Sequence, residues 1–171
     1  MSELQGIRVA VLTVSDRVAA GTREDEGGSA LCQLLEGAGA ELVSRAVVAD
    51  EREPIAAALR AMAADAEVVL TTGGTGLGPR DVTPEATRSV LDRDAPGIAE
   101  ALRAASLAIT PFAMLSRATA GLAGRTLVVN LPGNPKAVRE EWAVLAPVLP
   151  HALQTARGPV PDESHQHPPH G

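Results

Sequence analysis

The sequence predicts an α/β fold: a three-layer sandwich with a mostly parallel sheet and one antiparallel strand or hairpin. Three observations point to it. Short β-branched runs alternate with segments of helical period, the pattern of strand–helix–strand crossovers. The early runs are nearly continuous in apolar residues, as strands covered on both faces are. Two late strand-type runs are joined by a glycine-bearing link, which adds an antiparallel pair.

The first strand is Arg8 to Val14, ending in Ser15-Asp16-Arg17. Gly21 to Gly28 is polar and reads as a surface loop, followed by a helix from Ser29 that stops near Gly37 and Gly39. Glu41 to Ala49 is the second strand. Pro54 reads as the first residue of the next helix with Glu53 as its cap, and Ile55, Leu59 and Met62 share one face. Asp50 is then a carboxylate at a strand end with no capping role; a solvated loop aspartate is the plainer alternative on turn statistics.

The third strand, Glu67 to Leu70, runs into a loop containing Thr72, Gly73, Gly74, Thr75, Gly76 and Gly78. Closely spaced glycines let backbone N–H groups approach an anion such as phosphate, and the two threonines add hydroxyl donors. An ordinary turn is the alternative for so short a motif. The loop lacks both the Lys-Ser/Thr ending of a P-loop and the spacing of the dinucleotide fingerprint. Thr83 is a natural N-cap and Pro84 a natural first residue for a helix reaching Leu91. Asp81 is left outside that helix, a carboxylate beside a phosphate-type loop, and a metal ion between them would reconcile the two charges.

A further helix from Gly97 to about Leu107 places Ile98, Leu102 and Ala105 on one face. Met114 to Thr119, which carries Ser116-Arg117, and Arg125 to Asn130 read as the hairpin. Its second strand leads into Pro132-Gly133-Asn134, where Asn134 caps and Pro135 starts a long helix through about Ala156. Residues 1–157 therefore form one domain, and 158–171, with prolines and His165, His167 and His170, are expected to be a disordered tail.

Composition narrows the partners. A formal charge of −6 without a basic stripe argues against nucleic acid, although Arg80, Arg117 and Lys136 remain as local anion donors. The single Cys32 excludes an internal disulfide and a cysteine zinc site and reads as a small core residue in a reducing compartment. No stretch has the length of a membrane span or the form of a signal peptide, so the expected location is the cytoplasm. Only Phe112 and Trp142 are aromatic, so a bound ring would rest on aliphatic and backbone surfaces.

The motifs Thr13-Val-Ser-Asp16, Thr72-Gly-Gly-Thr-Gly76, Arg80-Asp-Val-Thr-Pro-Glu85, Leu115-Ser-Arg117 and Asn130-Leu-Pro-Gly-Asn-Pro135 resemble, in order, the molybdenum-cofactor biosynthesis family that binds molybdopterin. The resemblance covers about residues 6 to 156. The subfamily it looks like is molybdopterin adenylyltransferase, which implies transfer of AMP from MgATP to the molybdopterin phosphate with release of pyrophosphate. It implies ligand-binding roles for Ser15, Asp16, Thr72, Gly73, Gly74, Thr75, Gly76, Ser116, Arg117, Pro132, Gly133 and Asn134. Asp50 and Asp81 match the family's two acidic positions, as catalytic residues and Mg²⁺ ligands. It also implies a homotrimer, with the Ala-rich helix from Gly97 as a candidate surface and other cofactor-biosynthesis enzymes as candidate partners. A non-catalytic pterin-binding module of the same family and an oligomeric scaffold without ligand are the alternatives.

Overall fold

The computed structural model describes residues 3–159. Its strands are β1 (Arg8–Val14), β2 (Glu41–Val48), β3 (Val68–Thr72), β4 (Arg93–Asp94), β5 (Ala120–Ala123) and β6 (Thr126–Leu131), in one sheet of order β2-β1-β3-β6-β5-β4. The four strands β2, β1, β3 and β6 are mutually parallel, and β5 and β4 add antiparallel pairings at one edge. The expected three-layer α/β architecture is therefore present.

Alternation along each buried strand divides the core between two faces. Val9 and Val11 of β1, with Leu70 and Val129, face the layer of α2 (Glu26–Gly37), α5 (Pro96–Leu107), α6 (Pro135–Leu145) and α7 (Leu149–Arg157). Ala10, Leu12 and Val14, with Val69 and Val128, face α3 (Arg52–Ala63) and α4 (Thr83–Val90). Both faces of β1 and β3 are covered, which is why their sequences are continuous in apolar residues. Burying a Leu or Val side chain contributes roughly 1.5–3 kcal/mol, so this shared core fixes the strand register. Ile55, Leu59 and Met62 are buried as expected, and Trp142 lies in the core of the first face. Cys32 is half-buried against that same core.

Several element boundaries differ from the sequence expectation, each for a physical reason. The segment after β1 is not open loop: Ser15 caps a short helix, α1 (Asp16–Ala19). Helix α2 begins at Glu26 because Asp25 caps it, and Gly27 and Gly28 lie inside its first turn. Helix α3 starts at Arg52, so Pro54 is its third residue, where the missing N–H would be unpartnered in any case. Thr83 is the first residue of α4 rather than its cap. On α5 the buried face is Ala99, Leu102 and Ser106, with Ile98 half-buried at its margin.

Met114 to Thr119 is not a strand. Thr110 caps a 3-10 helix, Pro111–Leu115, and the carbonyls of Ser116 and Ala118 accept from Arg103 instead of a sheet ladder. The hairpin is β5 to β6, closed by Gly124-Arg125, and β4 pairs outside it. The last helix is interrupted by a 3-10 turn at Ala146–Val148, since Pro147 and Pro150 supply no N–H to continue it. Of the expected tail, 160–171 lies outside the described residues.

Candidate active site

The parallel strands end on one edge of the sheet, and the loops that follow β1, β2, β3 and β6 meet there around a cleft of about 420 Å³. After β1, Ser15 Oγ accepts from the Val18 N–H at 3.2 Å. That cap presents Asp16 to the loop after β2, and the two aspartates hold each other. Asp16 N–H donates to Asp50 Oδ2 at 2.7 Å, and Asp50 N–H donates to Asp16 Oδ1 at 3.0 Å. Arg80, from the loop after β3, donates from Nε and Nη2 to the Asp16 carboxylate at 3.0 Å each. The Arg80 guanidinium, with the Asp50 N–H, holds the Asp16 carboxyl below the usual carboxylate range. Burial pushes Asp50 the other way, and the charges of Asp16 and Asp81 add to that rise.

Gly73 and Gly74 adopt φ of +97° and +68°, in the left-handed region. A Cβ on Gly73 would come 2.3 Å from Val14 O, and one on Gly74 would come 2.3 Å from Thr83 Oγ1, so only glycine follows this path. Thr83 Oγ1 donates to Gly73 O at 3.0 Å, and Thr72 Oγ1 donates to Pro132 O at 2.8 Å. The hydroxyl of Thr72 thus joins the loops after β3 and β6. Farther on, Asp81 Oδ2 accepts from Gly78 N–H at 2.9 Å and closes a turn, a structural part that helix capping alone does not reveal. Asp50 has a comparable part at the first turn of α1. In both aspartates Oδ1 accepts no hydrogen bond from the described residues. Asn134 Oδ1 caps α6, accepting from Lys136 N–H at 2.8 Å.

Ser15, Asp50, Thr72, Gly73, Gly74, Thr75, Gly76, Asp81, Gly133 and Asn134 all line the cleft. Asp16, Ser116, Arg117 and Pro132 do not line the cleft themselves. Arg117 braces the glycine loop: its N–H donates to Thr75 O at 2.8 Å, Nε to Gly76 O at 2.8 Å and Nη2 to Asp81 O at 2.6 Å. It also pairs with Glu85. Ser116 Oγ accepts from Ala118 N–H at 3.3 Å.

The opposite wall was missed from sequence. It contains Arg23, Asp25 and Gly27, beside Thr13 of the first motif. Asp25 accepts from Gly28 N–H at 2.9 Å, from Thr13 Oγ1 at 2.8 Å and from Arg45 Nη2 at 3.0 Å. Gly27 brings α2 so close to the last loop that a Cβ would sit 2.5 Å from Gly133 O. An aspartate three residues ahead of Gly28, before the stripe Leu31 and Leu35, was the available signal; the paired glycines masked it.

No three His, Cys, Asp or Glu residues gather into a metal-binding group among the described residues. Two carboxylates with one uncommitted oxygen each are nonetheless a donor set that fits Mg²⁺, which usually binds one or two carboxylates together with substrate phosphates and water.

The family model described as "Probable molybdopterin binding domain" matches residues 10–151, so all four loops fall inside it. The chain belongs to the molybdopterin-binding domain family. Among relatives of this molybdopterin-binding domain, a molybdopterin adenylyltransferase of Helicobacter pylori is 38% identical over 163 residues, covering 91% of this chain and 90% of that protein. Among solved structures, the molybdopterin biosynthesis enzyme MoaB of Thermus thermophilus is 48% identical with a TM-score of 0.83, covering 90% of this chain and 98% of that one. The molybdopterin biosynthesis Mog protein of Mycobacterium ulcerans is 42% identical with a TM-score of 0.83, covering 88% and 99%.

Proposed function

We propose that this molybdopterin-binding domain is a molybdopterin adenylyltransferase of molybdenum cofactor biosynthesis, transferring AMP from MgATP to the phosphate of molybdopterin and releasing pyrophosphate. The observation that carries the reading is the pair Asp50 and Asp81 on one glycine-walled cleft, each with Oδ2 held by a backbone N–H and Oδ1 uncommitted. A phosphate oxygen of molybdopterin forms a bond to the α-phosphorus of ATP, the bond from that phosphorus to the β-bridging oxygen breaks, and pyrophosphate leaves with the electron pair. Mg²⁺ bound with ATP supplies neutralisation of the converging anions.

The work left to the chain is alignment. Asp50 and Asp81 are the proposed Mg²⁺ ligands through Oδ1. The backbone of Gly73, Gly74, Thr75 and Gly76, with Ser15, Gly133 and Asn134, is proposed to hold the pterin phosphate and adjoining parts of the two substrates. Thr72, Pro132, Ser116, Arg117 and Asp16 act at one remove, by holding these loops. The direct test is incubation of the pure protein with molybdopterin and MgATP, read by mass. Adenylylated molybdopterin is the expected product; saturable pterin binding without it would favour a non-catalytic module.

We also propose that the protein works as a homotrimer. Leu107, Ile109, Phe112, Met114 and Leu115, at the end of α5 and on the 3-10 helix after it, form an exposed apolar series, with Phe112 75% exposed. Such a patch on a domain with a complete core supports a contact with a second copy. Light scattering should give three times the 17.5 kDa chain mass, and Phe112→Glu should lower it. A monomer mass at working concentration would contradict the trimer. No helix among the described residues is long and apolar enough to cross a membrane. The cytoplasm is the proposed compartment, on the strength of the lone Cys32.

A further inference from the structure

Asp16 and Arg80 form an ion pair next to Asp50 whose side chains are 41% and 59% exposed. A pair so exposed contributes little to stability, so folding alone does not account for its geometry. That geometry is specific. Arg80 meets both oxygens of Asp16, Oδ2 through Nε and Oδ1 through Nη2, and Asp16 Oδ1 also takes the Asp50 N–H. The backbone of the same Asp16 then holds Asp50 Oδ2, leaving Oδ1 uncommitted beside Gly74, where a Cβ would come within 3.1 Å of it. Three loops, after β1, β2 and β3, are therefore joined through one carboxylate.

The fork of Arg80 keeps the Asp16 carboxylate turned so that both reciprocal bonds between Asp16 and Asp50 are kept.

We propose that Asp16 and Arg80 are positioning residues for the divalent cation: they act through Asp50, holding its Oδ2 so that the uncommitted Oδ1 stays available to the cleft. This rests on the assignment of Asp50 as a metal ligand. Groups one step removed from a metal typically govern 10- to 100-fold of its affinity. Arg80→Gln should therefore weaken cation binding by at least about tenfold. Arg80→Lys keeps the charge without the fork and should recover only part of that loss.

The experiment is titration of Mn²⁺ into the full chain, followed by the electron paramagnetic resonance of free Mn²⁺. Asp50→Asn serves as the blank that subtracts sites elsewhere, and Asp16→Asn and the two Arg80 variants are compared with the unaltered chain. Alongside it, single-turnover adenylylation is measured against Mg²⁺ concentration. Arg80→Gln should shift the half-maximal Mg²⁺ by the same factor as the Mn²⁺ affinity, with a rate near normal at saturating metal and a melting temperature changed by no more than a few degrees.

Unchanged Mn²⁺ affinity in Arg80→Gln would overturn the inference, as would the lack of any Asp50-dependent Mn²⁺ binding in the unaltered chain. A rate that stays low at saturating Mg²⁺ with unchanged affinity would also overturn it and assign Arg80 to substrate. If the unaltered chain makes no adenylylated product yet Arg80→Gln still weakens Mn²⁺, the reading of function falls and the positioning role stands.

Discussion

Gly74 shows how much of the site depends on one missing side chain. Its left-handed φ, the 2.3 Å approach a Cβ would make to Thr83 Oγ1 and the nearness of Asp50 Oδ1 all meet at that position. Gly74→Val should therefore abolish measurable ligand binding while the circular dichroism of the helices and sheet persists, at a cost on the order of 1–3 kcal/mol for the strained backbone. Calorimetric titration beside the spectrum decides it; a folded variant with unchanged affinity would remove this loop from the site. The glycines were legible in sequence because their spacing is a local signal. The second parts played by Asp50 and Asp81 were not, since each accepts a backbone N–H that only the folded loops bring near. Ser116 and Arg117 were legible as motif residues, but their position outside the cleft lining follows a 3-10 helix that stands where a strand was expected.

Helix packing adds a titrating group that no site motif contains. Glu141 on α6 is 6% exposed, accepts from Ser106 Oγ on α5 at 3.0 Å, and burial pushes its carboxyl from the ordinary 4.5 up to about 6. The folded chain thus holds this proton more tightly than the unfolded chain does. The associated stability is fully present below pH 4.5 and is lost as pH rises through about 6. At pH 7 the charged form costs roughly 1–2 kcal/mol, which Glu141→Gln should recover while keeping the Ser106 hydrogen bond. Urea unfolding at several pH values should show the variant gaining on the unaltered protein from about pH 5 to 7; parallel curves would contradict it. Nothing in the sequence marks Glu141 as buried, because its neighbour Glu140 gives the helix a charged look at that turn. The rotation of α5 by about one residue, which turns Ser106 inward, was hidden for a similar reason: Ala105 looks like the apolar choice.

Across the molecule, what sequence conveyed best was the edge on which chemistry gathers. Continuous apolar runs identify strands buried on both faces, and parallel strands bring their following loops to one edge whatever the details of each loop. What it conveyed poorly were features set by tertiary contact: the two-residue β4, held only by pairing to β5, and the start of α2 against Gly133. The central claim is that this cleft transfers adenylyl groups with Asp50 and Asp81 as its charged centre. Both aspartates close short structural links, so their amides should keep the fold but lose the charge that positions the cation. The most direct measurement is single-turnover formation of adenylylated molybdopterin at saturating Mg²⁺ by the unaltered chain and by Asp81→Asn, with pterin affinity measured in parallel and Asp50→Asn as the companion. Product from the unaltered chain is expected, with a fall on the order of 10²–10³ in rate for Asp81→Asn and pterin affinity largely kept. A folded Asp81→Asn that turns over at the normal rate would contradict it.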